Sequence, residues 1–190
     1  MRQEIKNVKT ILQRAASGAR MYHENIERIR RTCRPDVITQ ESKPFAELLL
    51  ESMQKAREEI TAEFLSLETS IKNRMTINAK DYNKDTVELI KILAPDVDEL
   101  EAIAKQFEGN ETMLRLFRKY CDDQQMIANL PLCGVDRLKA IRGMRDDIVY
   151  ILSLAGEPTS ATNRYGDSQL QHFAENFEKV FDNQIQAIGD

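Results

Sequence analysis

The sequence predicts an all-α fold, and three observations carry that prediction. The first 94 residues contain only three strong helix breakers, Gly18, Pro35 and Pro44. The apolar residues between them keep helical time for many turns. The composition is 31% charged and 6% aromatic, with no Trp, and is rich in Glu, Lys, Arg, Ala, Leu and Ile, which favours helix over strand. No alternating β-branched run is long enough to argue for a sheet. At 190 residues the chain is large enough to bury a real core.

The first helix is expected from about Arg2 to about Arg31. Its stripe is Ile5, Val8, Leu12, Ala15, Ala19, Tyr22, Ile26, Ile29 and Cys33, alternating three and four apart in an unbroken heptad. Small Ala15 and Ala19 on the seam suit close antiparallel packing in a bundle. Arg34-Pro35 ends the helix, because a residue before proline resists the helical region. A polar connector, Thr32 to Lys43, follows, and Pro44 suits the first turn of the next helix. That helix is expected to reach Asn78, striped by Phe45, Leu49, Met53, Ala56, Ile60, Phe64, Leu67, Ile71 and Met75 in an eleven-residue period. A heptad and an eleven-residue period favour opposite supercoils, which argues against one simple parallel two-stranded rope.

The character of the chain changes near residue 79. Asp85 is placed to cap a helix of about 86–93, closed by Ala94-Pro95. Asp96 is placed to cap one of about 97–107, with Val97, Leu100, Ile103, Ala104 and Phe107 on its apolar side. Gly109 fits the left-handed stop, and Asn110 caps a helix with Met113, Leu114, Phe117 and Tyr120 inward, broken by Asn129-Leu130-Pro131. Residues 80–132 thus read as a small helical insert between long-helix segments 1–79 and 133–190. In the second segment Val135, Leu138, Ile141, Ile148, Leu152 and Ala155 stripe a helix stopped by Gly156. Glu157 to Gly166 reads as a loop. Asp167 or Ser168 caps a last helix striped by Leu170, Phe173, Phe177, Val180, Phe181, Ile185 and Ile188. The whole is expected to form an elongated bundle or a coiled-coil-like arrangement.

Chemistry-bearing patterns are few. The two histidines, His23 and His172, lack the i, i+4 or Glu-x-x-His spacing of a helical metal site and read as polar residues beside the stripes. Asp81-Tyr82-Asn83-Lys84-Asp85 begins like a calcium loop, but Thr86 stands where glycine is required and Ile92 where the bidentate Glu belongs. Cys33, Cys121 and Cys133 form no disulfide or zinc pattern and read as free thiols of a reducing cytosol. No phosphate-binding glycine loop or nucleophile elbow is present. The expectation is therefore no catalytic residue, no cofactor and no metal. The charged N-terminus lacks an apolar signal core, and no apolar run approaches the ~20 residues of a membrane span. The expected location is the cytoplasm of a host cell, or a virion.

Two surface features stand out. The net charge is −4, yet residues 1–34 carry nine basic and three acidic side chains. Arg28, Arg30, Arg31 and Arg34 form the densest cluster. They complement the carbonyl end of the first helix, or they meet an anionic partner, an acidic protein face or a nucleic-acid backbone. Phe173, Phe177 and Phe181 share one face of the last helix and read as core, or as a helix-docking face for a partner.

The run Leu89-Ile-Lys-Ile-Leu-Ala-Pro95, Glu99-Leu-Glu-Ala-Ile-Ala-Lys-Gln-Phe107, Gly109-Asn-Glu-Thr-Met-Leu-Arg115 and Tyr120 resembles segments of uncharacterised small helical proteins of phages and prophages of low-GC Gram-positive bacteria. The likeness covers about residues 89–121. It implies a virion component or assembly factor and carries over no active residue. The expected function is structural or assembly work through protein–protein contacts, with self-association, because a second copy can cover exposed apolar stripes. Nucleic-acid binding through the basic first helix is the alternative.

Overall fold

A computed structural model describes residues 2–157 and 161–188, with the side chains of 161–164 outside the description. The described residues are all-α: nine α-helices, one 3-10 turn at Ala79–Asp81, and no strand. The helices are α1 (Gln3–Thr32), α2 (Ile38–Arg74), α3 (Lys84–Leu93), α4 (Val97–Lys105), α5 (Glu111–Gln124), α6 (Gly134–Ala155), α7 (Ala161–Glu175), α8 (Phe177–Val180) and α9 (Asp182–Ile188). The chain divides into two compact units, one of residues 1–67 and 140–190, the other of residues 68–139. The division falls inside α2 and α6, whereas the change in helix length and stop signals falls near 80 and 132.

The first unit is a helical bundle. The expected stripe of α1 is buried from Ile5 to Ile29, joined by Ile11 and Ala16, and Leu49, Met53, Ala56, Ile60, Phe64 and Leu67 of α2 are buried as their spacing predicts. Each large apolar side chain withdrawn from water contributes about 1.5–3 kcal/mol. Asn7 Nδ2 donates to Glu63 Oε1 at 3.0 Å, and Arg14 pairs with Glu59. Rising numbers on α1 meet falling numbers on α2, so the two run antiparallel. The same holds for α1 and α7, where Gln171 Nε2 donates to the Ala16 carbonyl at 2.7 Å and His23 meets Asp167. Ala15 and Ala19 lie fully buried within this packing.

Several boundaries differ from expectation for identifiable reasons. The connector after α1 is only 33–37, and Pro44 is the seventh residue of α2 rather than in its first turn. The Val37 carbonyl already accepts the Glu41 N–H at 3.0 Å, so the helix begins before the proline. The bond that Pro44 cannot give falls on the carbonyl of Gln40, an exposed residue. The expected loop at 157–166 is helical from Ala161, while positions 158–160 lie outside the described residues. Gly166 is not a loop residue: a Cβ there would stand 2.5 Å from the Ala155 nitrogen, so it marks a close approach of α7 to the end of α6. Asp167 and Ser168 accordingly lie inside α7 and cap nothing. The last helix is three pieces, because Asn176 and Phe181 leave the helical region at φ −115° and −106°.

The second unit is built from short helices with strong ends. Its core gathers Ile90, Leu100, Ala104, Met113, Leu114, Phe117, Cys121, Leu130 and Cys133. Asp96 and Glu99 form a full capping box on α4, and Asn110 accepts the Met113 N–H at 3.0 Å on α5. Gly109 takes the left-handed φ of +83° expected of it. Three details are corrected. Asn83, not Asp85, caps α3, accepting the Thr86 N–H at 2.9 Å. α5 stops at Gln124 because Gln125 turns left-handed, ahead of the Asn129-Leu130-Pro131 break. α2 ends at Arg74, and Asn78 instead caps the 3-10 turn. The Glu111 carboxylate ties this unit together, accepting from Arg115 and from the Gly134 N–H, both at 2.7 Å.

Candidate functional site

A concave feature lies in the first unit, between α2 and the C-terminal half of α6. It is an open groove of about 610 Å³. Its floor is buried Met53, Leu152 and Gly156, and its α2 wall carries Leu50, Gln54, Arg57, Glu58, Thr61, Ala62 and Leu65. Val149 and Ser153 of α6 stand opposite. Leu50 is 54% exposed and Leu65 62%. Leu50 and Leu65 stand at the two ends of this face, with the exposed polar side chains Gln54, Arg57, Glu58 and Thr61 between them. Helical spacing explains the arrangement: positions 50, 54, 57, 58, 61 and 65 share one face of α2, turned away from the buried stripe. This second face lies off the buried stripe. Its sequence signal is Leu50 and Leu65, two leucines off the eleven-residue period.

A smaller pocket of about 340 Å³ lies between α1 and α7, lined by Arg20, His23, Glu24, Glu27, Asp167, Ser168, Gln171 and Glu175. His23 Nε2 is hydrogen-bonded to Asp167 Oδ2, and Tyr22 packs edge-on to the imidazole at 5.2 Å. Asp167 is nearly buried, and its Oδ1 has no hydrogen-bond partner among the described residues. Burial pushes its carboxyl above the usual carboxylate range, against the pull of His23. Burial also raises the Tyr22 phenol, with Arg30 opposing and Asp167 adding to the rise. The sequence placed His23 beside the apolar stripe without identifying Asp167, 144 positions away, as its partner. The pair pins α7 to α1. His172 is exposed and sits near Asn176, at 3.3 Å.

The arginine cluster lies at the end of α1, with all four side chains exposed. Arg28 donates to Asn25 Oδ1 at 2.7 Å, Arg31 pairs with Glu27 at 3.1 Å, and Arg34 lies 3.7 Å from Asp36. Such exposed pairs contribute little stability and yield readily to another anion. The aromatic face is placed differently from a docking surface. Phe177 and Phe181 are 1% exposed, and Phe181 packs on Phe173 at 5.1 Å and on Phe177 at 5.4 Å. The break at Asn176 sets Phe177 and Phe181 inside the chain's own core, with half-buried Phe173 against Phe181.

Burial raises the thiols of Cys121 and Cys133 above their ordinary range. Among the described residues no group of three or more His, Cys, Asp or Glu side chains is placed to hold a metal ion, and no helix is long and apolar enough to cross a membrane. Compared with known proteins, the chain matches no family model, no curated protein and no solved structure.

Proposed function

We propose that this chain is a non-enzymatic structural or assembly protein that works through protein–protein contacts, including contacts with its own copies. The observation that carries the reading is the open groove beside α2, where Leu50 and Leu65 stand exposed at the rim while the periodic stripes of α1 and α2 are largely buried. Exposed leucines on a rigid helix cost solubility unless a partner covers them. The resemblance of residues 89–121 to small helical proteins of phages and prophages supports a virion component or assembly factor as the finer reading. The test is absolute mass by light scattering on a sizing column, at low and high salt. A salt-resistant dimer or larger species is the expected result, because apolar contacts do not weaken with ionic strength as surface charge pairs do. A monomer at both salts removes self-association.

The second reading is nucleic-acid binding through the basic end of α1, favoured by the exposure of Arg28, Arg30, Arg31 and Arg34. It predicts affinity that falls steeply with salt and is lost when the four arginines are neutralised. Binding of a mixed-sequence duplex that ignores salt, or no binding at low salt, eliminates it.

A further inference from the structure

The α2 wall of the groove has a chemistry that matches itself when reversed. Apart from the small Ala62, its exposed side chains run from one end Leu50, Gln54, Arg57, Glu58, Thr61, Leu65. Leucines stand at both ends, neutral hydrogen-bonding side chains come next, and one cation and one anion occupy the middle. All six are exposed. The run covers about 23 Å of helix at ~1.5 Å per residue.

We propose that this groove is an interface between two copies of the chain, in which a second copy lays its own α2 antiparallel along it about a two-fold axis passing between Arg57 and Glu58. The inference rests on the reading of the protein as one that self-associates, and it adds the face, the direction and the register. In this arrangement Leu50 stands level with the second copy's Leu65, Gln54 with its Thr61, and Arg57 with its Glu58. Symmetry makes each pairing occur twice. The four charges gather at the axis, two of each sign, so the cluster is neutral. Val149 of α6 flanks the groove in which the incoming helix rests, above the buried floor of Met53 and Leu152.

Competing registers are worse by the same chemistry. A slip of one helical turn in one direction sets Leu50 against Thr61, and in the other sets Leu65 against Gln54; either way the opposite charges are no longer level. A parallel pair places each charge level with its own copy, Arg57 with Arg57 and Glu58 with Glu58. Like-charge juxtaposition of this kind selects against the wrong partner geometry.

The test uses the full chain in a concentration series of light-scattering mass, with circular dichroism to show that each variant keeps its helix content. Arg57→Glu makes all four axial charges negative, and Glu58→Arg makes them all positive. Each single reversal is expected to raise the dimer dissociation constant about tenfold or more. The double reversal, R57E with E58R, restores opposite charges and returns the constant toward the wild-type value. In a second arm, Leu50→Cys and Leu65→Cys chains are mixed and oxidised, and the bridged peptides are identified by mass spectrometry. A bridge between 50 and 65, formed in the mixture and not by either chain alone, is expected. A dimer that ignores both reversals and gives no such bridge overturns the proposed face and register while self-association stands. A monomer at every concentration overturns both, and leaves the groove to a foreign partner.

Discussion

The two compact units use similar residues in opposite ways. In the unit of residues 1–67 and 140–190, α1 opens without a side-chain cap and holds its shape through ten buried residues along one stripe. In the unit of residues 68–139, three helices of 9–14 residues each begin with a side-chain cap, at Asn83, Asp96 and Asn110. The difference follows from helix physics. Starting a helix is costly and extending it is not, so a long helix needs only a buried face. In a short helix the unsatisfied end groups are a large share of the backbone, so capping weighs heavily in whether it forms. Length hands stability to tertiary packing, and brevity hands it to local hydrogen bonds.

The comparison breaks most visibly at the stripes. Phe64→Ala leaves a cavity in the first unit and is expected to cost about 3–5 kcal/mol, read as the shift in a urea unfolding curve. Glycine substitutions come next and discriminate between the units. At Gly166 a new methyl meets the backbone of Leu154 and Ala155, which cannot yield, so Gly166→Ala is expected to cost about 2–3 kcal/mol. At Gly134 the new methyl meets Cγ and Sδ of Met75 and lies 3.2 Å from Glu111 Oε1, side-chain atoms that can shift where backbone cannot. Gly134→Ala should cost about half as much by the same measurement. Equal costs would show that Met75 is as fixed as backbone.

Caps give the next smaller effect. Asp96→Ala removes the capping box and is expected to cost about 1 kcal/mol, seen as lost hydrogen-exchange protection in α4 with α1 unchanged. A loss of protection in α1 as well would show that the caps of one unit support the other. The smallest effect concerns Asp167. Its carboxyl is raised in the folded chain, so its stabilising contribution is complete below the ordinary value of 3.8 and is lost as pH climbs through the folded value. The stability of the wild type relative to Asp167→Asn should therefore fall as pH rises through that window. A difference that grows with pH would mean that His23 outweighs burial at this site.

Much of the helical framework was legible in the sequence. The stripes of α1 and α2, the capping residues Asp96 and Asn110, and the left-handed Gly109 each depend on spacing within one element, which a linear reading sees. The end of the chain was not legible in the same way. Gly166 looked like a loop glycine because the reason for it, the nearby end of α6, lies in another element. Phe173, Phe177 and Phe181 looked like one straight face because nothing local announces the break at Asn176. For the candidate site, Leu50 and Leu65 were visible as residues, but only the position of α6 turns their face into a groove wall. The partnership of His23 with Asp167 spans 144 positions and has no local signal at all.

The sequence by itself determined the fold class, the long α1 and α2 and the strongly capped short helices, because periodicity and end chemistry act over a few residues. Only the tertiary structure decided which apolar faces are covered and which stand open. Burial is a property of the neighbours that a helix meets, and those neighbours come from distant parts of the chain. The arrangement that buries Phe177 and Phe181 and leaves Leu50 and Leu65 in water is set by the antiparallel packing of α1 against α2 and α7 and by the seat of α6 beside α2.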